Sequence, residues 1–344
     1  MRAAVAWVKQ KGWMRMRVLV VINADNGAAR DAAVVLSSYF ASQGVECVPY
    51  ISDDLPSCGP AAGFGVPKAV RTDERFQRPF DMAVVLGGDG TILRTARMVA
   101  STATPILGLN FGHLGFLADT SDDGVIEPVA AALAGEVKVE KRANLQINVI
   151  CDSDCPLGCT HANCNECQSQ ACFVPSPNTE QVDLKQAPPP HTYFALNEVS
   201  VARGSSGLIV DFDMLIAGEL VASMRGDGVV VSTATGSTAY ALSAGGPIVA
   251  PSYQGLVVVP LAPHTLVSRA MVTAEHDIVE INISKDEGRR EIAIFSDGNL
   301  LELGSPVRKV IVQRGALPTV LLHYNQGNFY RKTSEVFFRD ARCY

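Results

Sequence analysis

No apolar run in the 344 residues reaches the roughly 20 needed to cross a bilayer as a helix, so a membrane-spanning chain is not expected. Basic residues are not in excess either. Lys plus Arg number 29 against 35 Asp plus Glu, a formal charge of −6, which offers no general field for nucleic acid. A small anionic ligand remains compatible, because one pocket can be positive on a negative protein. A clean secretory signal is missing: Lys9, Lys11 and Arg15 interrupt the start, and no small-residue cleavage site follows. The nine cysteines are not spread as in a secreted disulfide scaffold. Six lie between Cys151 and Cys172, and Cys47, Cys58 and Cys343 are scattered. A cytoplasmic, reduced protein with one local cysteine feature is the expectation. No internal repeat is visible.

Hydrophobic residues make up 47% and charged residues 19%, enough to bury a full core, and the length suits about two domains. Residues 1–13 read as a tail. From Met14 the pattern alternates: strands at Arg17–Asn23, Val45–Tyr50, Met82–Leu86 and Ile106–Leu109, with helices at Ala28–Phe40 and Ile92–Ala100. Such alternation predicts a three-layer α/β domain with parallel pairing, here over residues 14–136. Beyond Val137 the rhythm becomes short strands separated by turns, among them Leu145–Ile150, a single run over Thr192–Ala202, Leu208–Ile216 and Gly228–Ser232. Residues 137–314 therefore read as a mostly β domain, with an insertion over about 151–190. Residues 315–344 form a C-terminal segment.

The strongest local signal is VVLGGDGTILRTARM, where a strand ends in Gly87, Gly88, Asp89, Gly90 and Thr91 before a helix. Glycines let a ligand approach the backbone, and amides at a helix start hold phosphate oxygens. Asp89 could take a proton from an attacking hydroxyl or orient a metal ion carrying phosphate. The plainer reading makes Asp89 a helix cap. GGDGT is not GxGxxG and no P-loop lysine follows, which argues against a dehydrogenase and a P-loop ATPase.

A second cluster, GDGVVVSTATGSTAYALSAGGPIV from Gly226, is dense in small and hydroxyl residues. They could admit a flat ring and bond ribose, amide or phosphate groups, or form only a Ser/Thr-capped turn. Asn197–Glu198 suits a ribose diol or an adenine edge. Asp227 could hold a further polar group or shape its turn.

These segments resemble the NAD kinases, which phosphorylate the adenosine ribose 2′-hydroxyl of NAD using ATP or polyphosphate. GGDGT, LGFL (Leu114–Leu117), Asn197–Glu198, DGVVVSTATGSTAYALSAGGPI, APHTLVSRAMV (from Ala262) and SDG (Ser296–Gly298) follow the family order. The resemblance implies an α/β domain, a β-rich domain, and a final segment that returns to the first. It implies Asp89 as general base or metal-linked organiser, with Gly87, Gly88, Gly90 and Thr91 at the donor phosphates. Asn197 and Glu198 would bind the ribose and nicotinamide side. Asp227, Thr238, Ala239, Tyr240 and Ser243 would line the dinucleotide pocket, with Thr235 at its edge. Mg²⁺ would bridge the donor phosphates. A homodimer or homotetramer is implied, whose pocket can include a neighbour's residues. Arg94, Arg97 and Arg203 are candidate phosphate partners but fit surface or ion-pair roles better; His113 and His264 fit interface or fold support.

The cysteine block departs from the family. Cys151, Cys155, Cys159, His161, Cys164, Cys167 and Cys172 could hold a structural Zn²⁺, although only Cys164–Cys167 is a CxxC. An Fe–S cluster, reversible disulfides or no metal are alternatives. Two other functions stay open: a lipid or sugar kinase sharing the GGDG turn, and a non-catalytic NAD(P)-binding redox-sensing module.

Overall fold

The computed structural model describes residues 16–52, 70, 72–112, 115–120, 124–151, 191–265, 267–284, 292–325 and 327–338. The described residues open with β1 (Arg17–Ile22), α1 (Gly27–Gln43) and β2 (Glu46–Ile51). Asn26 caps α1 by accepting the Ala29 N–H, and Gly44 ends it at φ 68°. Next come β3 (Met82–Leu86), α2 (Asp89–Met98), β4 (Ile106–Asn110), β5 (Asp119–Thr120), α3 (Ile126–Ala134) and β6 (Lys138–Arg142). Helix α2 starts three residues earlier than its apolar pattern suggests. Gly88 takes the extended cap conformation, and Asp89 enters the first turn. The sequence reading has no α3, whose Pro128 sits near the helix start, where a missing N–H costs little.

The second half runs β7 (Leu145–Cys151), β8 (Thr192–Ala195), β9 (Glu198–Arg203), β10 (Val210–Ile216), β11 (Glu219–Gly226) and β12 (Gly228–Ser232). After α4 (Tyr240–Ser243) follow β13 (Val257–Leu261), β14 (Met271–Val272), β15 (Val279–Ile283), β16 (Ile292–Ser296), β17 (Asn299–Leu300) and β18 (Val307–Arg314). The described residues close with β19 (Thr319–His323) and α5 (Phe329–Phe337).

The described residues form three sheets. The first has the order β2-β1-β3-β4-β19-β6, with β5 paired to β4; it is parallel except for β6 against β19. The other two, β11-β10-β15-β18-β7-β8 and β14-β13-β12-β9-β16-β17, are antiparallel. They enclose a sandwich core that includes Ile147, Val201, Phe212, Val231, Ile281 and Val310. This is the expected α/β plus mostly β architecture.

The expected single run over Thr192–Ala202 is broken. β8 belongs to one sandwich sheet and β9 to the other. The turn between them forms because the Asp297 carboxylate accepts the N–H groups of Leu196 (2.8 Å), Asn197 (2.8 Å) and Glu198 (3.2 Å). Cys151, one of the candidate metal ligands, is the last residue of β7, and its side chain is buried in the sandwich core. Cys155, Cys159, His161, Cys164, Cys167 and Cys172 lie outside the described residues.

Helices α1 and α3 cover one face of the first sheet through Leu36, Phe40, Val129 and Leu133. Helix α2 covers the other with Ile92 and Ala96, and Gly108 on β4 leaves room for Ile92. Phe194 and Leu196 from the second half enter that same core, so α2 lies between the first sheet and the β domain. Among the described residues the chain crosses between them twice, and Asn144 clasps the crossings: its Nδ2 donates to the Leu317 carbonyl (2.9 Å) and Thr319 Oγ1 (3.0 Å).

Leu196 is fully buried where the two halves meet. Leu196→Ala is expected to cost about 2–5 kcal/mol, read as a lower urea midpoint in equilibrium unfolding.

Candidate functional site

The first sheet changes winding direction between β1 and β3, because β2 follows on one side and β4 on the other. In open α/β sheets the crevice at the carboxyl ends of such strands is where ligands bind. Asn23 and the Gly87–Gly88 turn stand there. The Gly87 N–H donates to the Leu109 carbonyl, and a side chain at Gly87 would strike Thr91 and Asn23. Nothing lies within 4 Å of a side chain built at Gly90. The start of α2 is therefore open on that side, and its first-turn amides carry the partial positive charge of a helix N-terminus.

Asp89 turns toward the LGFL segment. Its Oδ2 accepts the Phe116 N–H at 2.7 Å and its Oδ1 the Leu117 N–H at 3.2 Å. Gly115 is needed beside it, since any side chain there would overlap the carboxylate. A carboxylate offers about four lone-pair directions, so two remain for other donors.

Across the cleft, the hydroxyl-rich loop is stitched to the Leu196–Asn197 turn. Thr233 Oγ1 donates to the Leu196 carbonyl (2.7 Å) and accepts the Gly236 N–H (3.1 Å). Ser232 Oγ and the Thr233 N–H both reach the Asn197 carbonyl. Ser237 Oγ donates to the Ala234 carbonyl (2.7 Å) and accepts the Val249 N–H (3.0 Å). Ser232, Thr233 and Ser237 thus build the loop. Thr238, Ala239, Tyr240 and Ser243 remain at least partly accessible.

Glu198 links the two segments, because its carboxylate accepts the backbone N–H of Tyr240. A cleft of about 230 Å³ is lined by Glu198, Ser200, Ala202, Tyr240, Phe295 and Gly298. Glu198 is only 8% exposed, and its Oε2 has no hydrogen-bond partner among the described residues. Burial, with the Asp297 charge nearby, pushes its pKa up to about 8. Burial also raises that of Asp297, against the pull of three amides and the Arg97 guanidinium.

Arg142, at the end of β6, joins the two sides. Its Nη1 donates to Thr235 Oγ1 (3.3 Å), its Nη2 pairs with Glu140 (3.0 Å), and its charge interacts with Asp89. Glu140 also contacts His323 Nε2 (3.0 Å), whose Nδ1 faces Asp119 (3.1 Å). Sequence reasoning missed this chain. Arg142, Glu140, Asp119 and His323 sit in three separate stretches with no shared motif. Asp297 also went without a role, although its SDG turn was visible.

Asp227 pairs with Arg203 at 3.3 Å and lies at the opposite end of β12 from Ser232, roughly 16 Å along the strand. Arg94 bonds Ser52, and the His264 backbone N–H donates to the Arg225 carbonyl. His113 lies outside the described residues. Among those residues no group of three His, Cys, Asp or Glu side chains could hold a metal ion.

The fold and site define a two-domain nucleotide-binding class, in which an α/β glycine turn faces a hydroxyl-rich loop from a β domain. Residues 61–137 match the ATP-NAD kinase N-terminal domain and residues 196–324 the ATP-NAD kinase C-terminal domain. The NAD kinase of Methylibium petroleiphilum is 33% identical over 303 residues, covering 88% of this chain and 87% of that protein. That of Nitrosomonas europaea is 34% identical over 266 residues, 77% of each. The fold is shared with yeast NADH kinase complexed with NADH, at a TM-score of 0.69 and 19% identity over 96% of this chain and 89% of that one. It is shared too with an NAD kinase from Archaeoglobus fulgidus in complex with ATP, at a TM-score of 0.59 and 20% identity over 94% and 98%. This chain belongs to the NAD kinase family.

Because Glu198 holds its proton longer in the folded state than when unfolded, folding loses stability as pH rises from its ordinary value toward its raised one. Wild type should therefore lose stability relative to Glu198→Gln by a few kcal/mol between about pH 5 and about pH 8.5. Urea unfolding of both proteins at the two pH values checks this. A constant difference would show that Glu198 ionises normally.

Proposed function

We propose that this chain transfers a phosphoryl group from ATP to the 2′-hydroxyl of the adenosine ribose of NAD, forming NADP, with polyphosphate as the alternative donor. The observation that carries the reading is the meeting of the two motif loops. Asp89 stands at an open helix start, and Arg142 reaches from its neighbourhood to Thr235 of the facing loop.

In this reading Gly87, Gly88, Gly90 and Thr91 present the start of α2 to the donor phosphates. Asn197 and Glu198 hold the ribose and nicotinamide side, and Thr235, Thr238, Ala239, Tyr240 and Ser243 line the rest of the dinucleotide pocket. Tyr240 is 44% exposed, which suits a ring awaiting a ligand face. A free lone pair of the Asp89 carboxylate accepts the 2′-hydroxyl proton as the oxygen attacks the terminal phosphorus. The bond to the bridging oxygen breaks in line, and the remaining diphosphate leaves.

The donor set fits a Mg²⁺ carried in by the donor phosphates, since Asp89 is the one carboxylate of the GGDGT turn. Such an ion supplies neutralisation of the donor's phosphate charge. A homodimer or homotetramer, in which a neighbouring subunit adds residues to the pocket, is part of the reading. The exposed Leu220 and Val221 on β11 are in keeping with that. A cytoplasmic location and a zinc-ordered cysteine block complete the proposal; elemental analysis of the purified protein tests the zinc.

Incubation with NAD, ATP and Mg²⁺ should yield NADP on nucleotide separation. Failure with ATP and with polyphosphate would sink the assignment. Asp89→Asn should lower turnover by roughly 10²-fold or more while the far-UV circular dichroism stays unchanged. Full activity in that variant would remove Asp89 from its role.

A further inference from the structure

The orientation of Asp89 depends on two backbone N–H groups, and both come from one short segment. That segment is anchored unevenly. Leu117 is buried in the core around Ile92 and Ala96. Phe116, which provides the shorter bond, has a different support. Its ring stacks on Phe337 of α5, with centroids 5.7 Å apart and planes at 19°. It also tilts against Phe329 at 6.2 Å. The neighbouring residues are tied to the same C-terminal stretch. Lys332 Nζ donates to the Ala118 carbonyl at 3.1 Å. Asp119 accepts the Tyr324 N–H at 2.7 Å and the Asn325 N–H at 3.3 Å.

Helix α5 is itself weakly held. It has nine residues, shorter than the roughly 12–15 at which isolated helices become even marginal, so it depends on its docking contacts. Thr333 is its one buried residue, while Tyr330, Val336 and Phe337 are exposed to 69%, 42% and 38%. The Phe116–Phe329–Phe337 contacts and the Lys332 bond therefore serve both elements at once. They hold α5 to the protein, and they hold the amide that aims Asp89.

We infer that α5 acts as a positioning element for phosphoryl transfer. Docked, it fixes Phe116 and through it the Asp89 carboxylate; released, it leaves Asp89 with the Leu117 amide alone. Phe337 is then a positioning residue that acts through Phe116. The inference rests on the reading of Asp89 as the proton acceptor. It adds that proton acceptance is governed from the far end of the chain, 248 residues beyond Asp89 by the numbering of Phe337.

The test uses the full chain carrying Phe337→Ala, with Phe337→Leu as a milder variant and Phe337→Tyr as the conservative one. Amide hydrogen exchange at Phe116 should accelerate about tenfold in Phe337→Ala, because a segment deprived of its stacking partner opens locally more often. Turnover should fall by about tenfold or more with KM for NAD changed less than about twofold, and Phe337→Tyr should restore it. On an Asp89→Asn background, Phe337→Ala should lower turnover little further, because both act on one carboxylate. Unchanged exchange at Phe116 would overturn the inference. So would a fall in melting temperature without a fall in turnover, or a full additional loss on the Asp89→Asn background. If wild type makes no NADP, the functional reading fails by itself, and the exchange measurement still decides whether Phe337 holds Phe116.

Discussion

One buried carboxylate sets the geometry on which the cleft depends. Asp297 collects the N–H groups of Leu196, Asn197 and Glu198, and so forces a strand-like run to leave one sandwich sheet and enter the other. That turn has consequences in three directions. Leu196 is pressed into the core beneath α2, the Asn197 carbonyl becomes the anchor for Ser232 and Thr233, and Glu198 is delivered to the cleft wall. An acid buried this deeply is costly, and its pKa is raised accordingly. The three amides and Arg97 offset part of that cost. What the arrangement secures is placement: no apolar residue could gather three consecutive N–H groups and turn the chain there.

Helix α2 is the element both halves share. Its start carries Asp89, its body packs on the first sheet through Ile92 and Ala96, and its outer side meets Phe194 and Leu196. The glycine turn and the hydroxyl-rich loop, far apart in sequence, therefore refer to the same helix. Arg142 adds a polar crossing to this apolar one. Together they hold the two loops in register without either loop having to be rigid alone.

Much of this was legible in the residues. Strands β3 and β12 fall where their apolar runs place them, and the α/β to β transition follows from the change of period after Val137. The glycine–aspartate turn and the loop ending in TGSTAY stand out by composition. The rest depended on contacts between distant positions. Thr192–Ala202 looks like one strand because every local preference is satisfied, and the break comes from Asp297, about 100 residues later. Ser232, Thr233 and Ser237 look like ligand groups by type, yet their hydroxyls are used to fold the loop. Asp227 sits in the same motif as Ser232, yet the length of β12 separates the two.

The chain of side chains from Asp119 through His323, Glu140 and Arg142 to Thr235 gives a reason for the topology of the last strand. β19 lies between β4 and β6, and His323 at its end stands between Asp119 and Glu140. Burial alone would lower the histidine pKa, but the two carboxylates outweigh it and raise it. Burial alone would raise that of Glu140, but His323 and Arg142 bring it down to about 2. Signs alternate along the chain, so each charge is matched by the next. Buried pairs of this kind add little net stability, since desolvation cancels most of the attraction. They penalise misplacement instead, because removing any one member strands its neighbour. Thr235 is consequently referred to β6, β6 to β19, and β19 to the loop that holds Asp89. The return of the chain to the first domain closes that circuit, and the cleft acquires its shape from residues that do not line it.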